Sequence, residues 1–418
     1  MAKIKAQTLK GFRDFLPGVA RKRQYVIEKL KKVFESFGFE PLETPALEYE
    51  EILLGKYGTE GDKLMYRFTD NGGRKVALRY DQTVPLARVV AEYQNQLPMP
   101  FKRYQIQPVW RAENTQKGRF REFMQCDIDT VGTNSPLSDA EIITAVNVCL
   151  KALGFKNYKI LINDRGVLFG LTVNKVIPQD KVIPVMIALD KLKKIGPENV
   201  ITEIEKAGFS KEEAKDIIDK TKIAQPTASL QEIINTSKKL GVAEEKIEFY
   251  PLLVRGLNYY TGLIFEVEIE GYTAGSVGGG GRFDNLIGMF VGRQIPAVGF
   301  AFGFDRLIEA MDQLDLFPKD LITTKVLVTV FSKELESEST KVCSSLRLSN
   351  INCELWLDAE SKLDKQLKYA DQKGIPYVII IGPDEAKNNT LTLKDLNPPA
   401  GGKTQETLSL DEAIQKLT

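Results

Sequence analysis

Lys102-Arg103-Tyr104-Gln105-Ile106-Gln107-Pro108-Val109-Trp110-Arg111-Ala112-Glu113, then Asn114-Thr115-Gln116-Lys117-Gly118-Arg119, then Phe120-Arg121-Glu122-Phe123-Met124-Gln125-Cys126-Asp127-Ile128-Asp129, reads as a strand, a basic turn and a returning strand. Side chains alternate across a sheet with period two, so Arg121, Phe123, Gln125, Asp127 and Asp129 share one face of the return arm. That row places cationic, aromatic, amide and acidic groups side by side. It suits a ligand with phosphates, a flat base and a polar amino-acid part: guanidinium grips phosphate, a ring stacks on a base, and amide and carboxylate read donors. For an arbitrary charged hairpin the ordinary reading is a solvated antiparallel face.

Working outward, 418 residues are long for one core, and two or three domains are expected. Hydrophobic residues make up 43% and charged residues 27%, the balance of an ordinary soluble protein. No apolar run is long enough to span a bilayer, and Met1-Ala2-Lys3-Ile4-Lys5 leads into polar sequence without a signal-peptide core, so no membrane partner and a cytoplasmic location are expected. Cys126, Cys149, Cys343 and Cys353 form no CxxC pair, which points to buried free thiols rather than zinc or a disulfide framework. No residues are assigned as metal ligands. With 57 basic against 56 acidic residues, any RNA contact must come from local patches. The chain contains no histidine, which excludes Ser-His-Asp triads, His-ligated metals and His general bases.

Arg111-Ala112-Glu113, the basic loop and Arg119-Phe120-Arg121-Glu122-Phe123 resemble motif 2 of the class II aminoacyl-tRNA synthetases. Gln125-Cys126-Asp127-Ile128-Asp129 is similar to the histidyl-specific branch, as are Arg255-Gly256-Leu257-Asn258-Tyr259-Tyr260-Thr261-Gly262 and Gly275-Ser276-Val277-Gly278-Gly279-Gly280-Gly281-Arg282-Phe283-Asp284. The resemblance covers nearly the whole chain. It implies an α+β class II catalytic core, an antiparallel sheet flanked by helices, at residues 1–322 with a helical insertion near 170–245. A C-terminal α/β anticodon-binding domain would occupy 323–418.

Between Arg21 and Phe37, Val26, Ile27, Leu30, Val33 and Phe34 recur at a helical period, and an extended segment limited by Pro41 and Pro45 follows Gly38. The pair resembles motif 1, which in this class builds a homodimer interface. Val76 to Arg88 reads as a strand turning into a helix, with Asp81 and Thr83 at the turn, where capping is the common role. Gly275 to Gly281 lacks the ending of a P-loop and by itself reads as a tight turn. Pro296 to Ile308 reads as a strand running into a helix and resembles motif 3. Charged segments such as Ser210 to Lys215 mark the insertion, which in the family lies over the acceptor arm of tRNA; a bare charge run is usually a solvated face. After Pro318, Val326–Phe331 and Tyr377–Gly382 read as strands of a partly parallel sheet, and Lys362, Lys365 and Lys368 recur at a helical spacing suited to phosphates or to solvent.

The resemblance implies activation of L-histidine by ATP and transfer to tRNA(His), with Mg2+ and arginines stabilising charge. It puts Arg111 and Arg255, as catalytic residues, on the α-phosphate. Arg306 and Arg121 fall on the outer phosphates, and Phe123 and Glu113 on adenine. Asp81, Thr83 and Gln125 would take the ammonium; Asp129 and Tyr260, beside Tyr259, the imidazole. The first step needs no enzyme histidine, since its nucleophile is already a carboxylate. Asn258 stands where the family usually has Asp, and Thr115 where proline is frequent. A member without histidine can be translated without its own substrate, and removal by design or recoding accounts for that better than chance. Two rival readings are the histidine-binding regulatory paralogue of ATP phosphoribosyltransferase, which generally lacks the C-terminal domain, and an inactive redesign that binds histidine or RNA.

Overall fold

The computed structural model describes residues 4–56, 58–115, 119–173, 177–254, 259–319, 321–398 and 404–418. The chain forms two compact units, Met1–Phe317 and Pro318–Thr418. The first is built on an eight-stranded sheet with strands β1 (Glu40–Pro41), β2 (Phe101–Trp110), β3 (Glu122–Val131), β4 (Tyr158–Asp164), β5 (Ile247–Phe249), β6 (Leu263–Ile269), β7 (Gly278–Arg282) and β8 (Ala297–Gly303). Their order is β1-β2-β3-β8-β7-β6-β4-β5. Pairing is antiparallel from β2 through to β4, and parallel at the two edges. The expected antiparallel core is therefore a mixed sheet with short parallel margins, because β1 and β5 each return over the sheet through helical segments rather than by hairpins.

The hairpin β2–β3 pairs over ten residues, from Phe101 opposite Val131 to Trp110 opposite Glu122. Alternation sends Cys126 and Ile128 into the main apolar core and leaves Gln125, Asp127 and Asp129 on the other face. The core face is covered by α1 (Pro17–Ser36) and α3 (Pro136–Ala152), which pack on each other. Helix α1 buries Val26, Leu30, Val33 and Phe34, a single stripe at helical spacing. It begins earlier than the apolar period indicates because Pro17 fits the first helical turn, whose N–H groups lack intrahelical partners. It ends at Phe37, ahead of Gly38 at φ +75°. Helix α2 (Thr83–Tyr93) lies beyond the sheet end, and α4 (Phe304–Gln313) follows β8 directly.

The helical stretch from Arg165 to Lys239 is not one body. Ile177, Val185, Val200, Ile204 and Ile217 form a separate apolar cluster, whereas the last helix, Ala228–Lys239, packs on α3 and buries Leu230 and Ile233 in the main core.

The glycine-rich segment differs from the turn expected from its composition: Gly278–Arg282 is β7, a central strand. The reason is space. A Cβ on Gly280 would lie 2.0 Å from the Gly299 carbonyl oxygen, and one on Gly281 2.3 Å from that of Leu263. The neighbouring backbones approach more closely than side chains allow. Arg282 then ties the end of β7 to the start of α3, meeting Asp139 at 2.5 Å and donating to Ser138 Oγ at 3.1 Å.

In the second unit β9 (Val326–Val328), β10 (Cys353–Leu355), β11 (Tyr377–Ile380), β12 (Leu391–Asp395) and β13 (Gln405–Leu408) stand in the order β10-β9-β11-β12-β13. The first three are parallel and the last two antiparallel, the partly parallel sheet expected from the alternation of strands and helices.

Gly280→Ala is expected to lower stability by about 1–3 kcal/mol or more, since its Cβ meets backbone that cannot rotate away. Gly18→Ala, on the open side of α1 with nothing within 4 Å of a Cβ, should shift it by no more than about 0.5 kcal/mol. Urea midpoints of the two variants check this, and equal midpoints would refute the close-approach account.

Candidate active site

A cavity of about 400 Å³ opens over the polar face of β3, β7 and β8. Phe123, Gln125, Asp127 and Asp129 of β3 form its floor, together with the backbone of Gly278–Gly280 and Gly299. Gly299 is needed there: a Cβ would fall 1.9 Å from Asp129 Oδ1. Asp81 and Thr83 enter from the start of α2, Arg111, Glu113, Arg119 and Phe120 from the hairpin loop, Tyr259 and Tyr260 from the segment ahead of β6, and Asp305 and Arg306 from the start of α4.

The two ends of the floor differ in charge. Near Phe123 stand Arg111, whose guanidinium lies 5.1 Å from that ring and 4.4 Å from Tyr80, and Arg306, which donates to the Ser276 carbonyl at 3.0 Å. Six residues along the strand, about 20 Å away at a strand rise of ~3.3 Å per residue, stands Asp129, with Asp127 between. Asp81 Oδ1 accepts from the N–H groups of Thr83 and Val84, both at 3.1 Å, so it caps α2 while lining the cavity. Arg79 fixes the preceding strand end from behind, donating to the carbonyls of Thr44 at 2.6 Å and Pro108 at 2.9 Å. Burial pulls its guanidinium down to about 10.

Beside the acidic end, on the same face of the sheet, lies Arg103, fully buried on β2 and directly opposite Asp129 in the ladder. Its Nη2 is 2.7 Å from Asp129 Oδ2, an ion contact outside the hydrogen-bond direction, and 4.0 Å from Asp127 Oδ2. It also donates to Gln105 Oε1 at 3.2 Å. Burial pushes the Asp127 carboxyl up to about 8 and that of Asp129 up to about 6, against the pull of Arg103.

Of the residues singled out in the sequence, Asp81, Thr83, Arg111, Glu113, Phe123, Gln125, Asp129, Tyr259, Tyr260 and Arg306 all line this one cavity. Arg121 does not: strand pairing starts at Glu122, and Arg121 turns its Nε to the Glu113 carbonyl at 3.1 Å. Arg255, with Gly256 to Asn258, lies outside the described residues. The sequence places Asp127 on the ligand row without a role of its own, and gives none to Arg119, Phe120 or Asp305 as lining residues, nor to Arg103 beside Asp129. Asp305 joins the N-terminal segment to the site, meeting Arg13 at 3.0 Å and Arg23 at 2.5 Å and accepting from Met124 N–H at 3.3 Å. Arg13 in turn covers Phe120 at 3.3 Å from its ring centre.

An antiparallel sheet carrying a motif 2 hairpin on one side and a strand-to-helix arginine on the other is the catalytic architecture of the class II aminoacyl-tRNA synthetases. The family described as Histidyl-tRNA synthetase matches residues 11–307, and that described as Anticodon binding domain matches 325–418. The histidine–tRNA ligase of Cytophaga hutchinsonii is 39% identical, with 98% of each chain covered, and that of Wolinella succinogenes is 39% identical, covering 100% of this chain and 99% of its own. The crystal structure of histidyl-tRNA synthetase from Nostoc sp. PCC 7120 superposes with a TM-score of 0.86 at 32% identity, covering 99% of this chain and 100% of that one. The chain belongs to the histidyl-tRNA synthetase family.

Replacing Arg103 by Leu should lower stability by about 3–5 kcal/mol at pH 8, because it leaves buried carboxylates without a counter-ion. The loss should shrink towards pH 5. An Asp whose folded value is raised destabilises the fold as pH climbs from the unfolded value, near 4, through the folded one. Denaturant unfolding at both pH values checks the sign; a larger loss at pH 5 would contradict the arrangement.

Proposed function

We propose that the chain is a histidine–tRNA ligase, which joins L-histidine to ATP as histidyl-adenylate and passes histidine to the 3′ end of tRNA(His). What carries the reading is the polarity of one cavity, with carboxylates at one end of a strand face and arginines with an aromatic ring at the other. A ligand with a cationic, nitrogen-rich head and a polyphosphate tail fits that polarity. Family membership supports it, as do curated relatives of that name spanning nearly the whole chain. The regulatory-paralogue reading has less support, since the chain also matches the anticodon-binding family over 325–418.

In the first step the histidine carboxylate attacks the α-phosphorus and pyrophosphate leaves; in the second a ribose hydroxyl of the terminal adenosine attacks the acyl carbon, its proton passes to the departing phosphate, and AMP leaves. Neither nucleophile needs a protein histidine. The chain's part is alignment and charge stabilisation in a site shaped before the substrates arrive. Arg111 would grip the α-phosphate, held by Tyr80 and Phe123 at one side. Arg306 would meet the outer phosphates, Phe123 would stack on adenine and Glu113 would accept from its amino group. Asp81, Thr83 and Gln125 would hold the ammonium, and Asp129 with Tyr260, backed by Tyr259, the imidazole. Arg121 acts through the Glu113 carbonyl on the loop. Mg2+ would enter with ATP and supply further charge stabilisation at the phosphates; among the described residues no cluster of three carboxylate or thiol ligands stands ready to hold an ion by itself.

We place the work in the cytoplasm and the chain in a homodimer. Leu47, Tyr49 and Phe68 stand exposed on a three-stranded sheet of Leu47–Tyr49, Arg67–Thr69 and Lys75–Leu78 that follows β1, as apolar side chains suited to burial against a second copy.

Histidine-dependent ATP–pyrophosphate exchange tests the reading. Exchange with histidine and none with the other amino acids is expected, and no exchange in a folded chain would leave only a binding protein. Removing residues 318–418 should preserve exchange and abolish most charging of tRNA; equal loss of both in a folded truncation would refute this division of labour. For Arg255 we expect Arg255→Ala to slow adenylation about 100-fold to 1,000-fold, the scale of one preorganised charge-stabilising donor, with Arg255→Lys recovering little. Near-normal exchange with a lowered melting temperature would make it a structural residue instead.

A further inference from the structure

The reading above assigns the imidazole to Asp129, yet the floor holds two carboxyls and a buried cation. We propose that Asp127 is a second specificity-determining group: it holds the proton that lets the Asp127–Asp129 pair present one donor and one acceptor to a neutral imidazole, with Arg103 as the positioning residue that decides which carboxyl keeps it. The inference rests on the histidine-site reading.

The geometry separates the two carboxyls. Arg103 Nη2 stands 2.7 Å from Asp129 and 4.0 Å from Asp127, so the charge of Asp129 is matched directly and that of Asp127 only partly. The charged groups facing Asp127 from its surroundings are Asp129 on its own strand, Arg103 on β2, Asp81 at the start of α2 and the more distant Arg79. Across the ladder on β8 its partner is Ala301, which brings no charge. Gln125 Nε2 donates to its oxygens at the long distances of 3.3 and 3.5 Å. Three carboxyls share this corner, and a like charge disfavours ionisation of the least compensated one. Burial agrees in direction, raising Asp127 to about 8 and Asp129 to about 6. Between those limits the pair carries one proton.

A free imidazole titrates near 6.5, so from there up to about 8 it too carries one N–H and one lone pair. Asp129 accepts from the N–H and the Asp127 O–H donates to the lone pair. Gln125 Oε1, buried and without a partner among the described residues, remains an open acceptor for the ammonium. Above pH 8 Asp127 ionises and two acceptors face a lone pair. A site left with mismatched buried polar groups discriminates strongly, because each unmade hydrogen bond exposes the full desolvation penalty.

The test is calorimetric titration of L-histidine, with KM in pyrophosphate exchange, between pH 6.5 and 9.5 on the unmodified chain, Asp127→Asn and Asp127→Ala. Affinity of the unmodified chain should fall by up to about tenfold per pH unit above pH 8, the limit for one proton. At pH 8.5, where most of the free amino acid's ammonium is still protonated, binding should take up more than half a proton, read from heats in two buffers. That measurement needs no variant. Asn keeps an N–H donor and does not titrate, so its alkaline fall should appear only where the substrate's ammonium titrates, with an affinity at pH 7 between those of the unmodified chain and Ala. Asp127→Ala should bind histidine more than tenfold more weakly at pH 7 with the KM for ATP unchanged. An alkaline limb of the same position in Asp127→Asn, or binding at pH 8.5 without proton uptake, would overturn the inference and leave the histidine reading standing. A folded chain that takes no histidine at any pH would overturn both.

Discussion

A guanidinium shut away from water beside the carboxylates of the cavity floor is the interaction on which the acidic end of the site depends. Carboxyls as buried as Asp127 and Asp129 would otherwise shed their charge, and Arg103 lies directly across the ladder from one of them. The ten-residue pairing of β2 with β3 sets that juxtaposition. A slip of one residue would turn Asp129, Asp127 and Gln125 into the apolar core and bring Cys126 and Ile128 into the cavity. Register, buried ion pair and ligand face are thus one constraint seen at three scales.

The second constraint is closeness. The carboxylate of Asp129 occupies the place of a side chain on Gly299, and β7 fits between β6 and β8 because Gly280 and Gly281 carry none. The sheet is narrowed under the cavity, and Arg282 clamps the end of the narrowed strand to α3 through Asp139. Rigid backbone therefore lies where an amino acid would sit, and the adaptable arginines of the loop and of α4 lie where phosphates would.

Much of this was legible in the sequence. The long arms of the hairpin gave its alternation, and the strand running into a helix at Phe304 gave the position of Arg306, since both signals are local. Arg121 was placed on the ligand face because alternation was extended to it. In the structure its N–H bonds to the Gly11 carbonyl at 2.9 Å, ahead of the strand, so the period does not hold there. The partnership of Arg103 with Asp129 needs the register, and a turn drawn at Asn114 to Arg119 centres the hairpin half a residue away, opposing Arg103 to Thr130 instead. A glycine run carries the same composition whether it turns or lies flat, and only the neighbouring carbonyls of Gly299 and Leu263 distinguish the two. The helix Ala228–Lys239 shares its charge pattern with the insertion, but its partner is α3, which no local pattern reveals.

On the proposed function, one face of β3 reads the amino acid at its Asp129 end and the nucleotide at its Phe123 end. A crystal structure with L-histidine and a non-hydrolysable ATP analogue tests it most directly. The expected result is the imidazole between Asp127 and Asp129, with Arg103 still beside Asp129, the adenine on Phe123 and the α-phosphate beside Arg111. An imidazole bound elsewhere, with Asp129 still facing only Arg103, would contradict it.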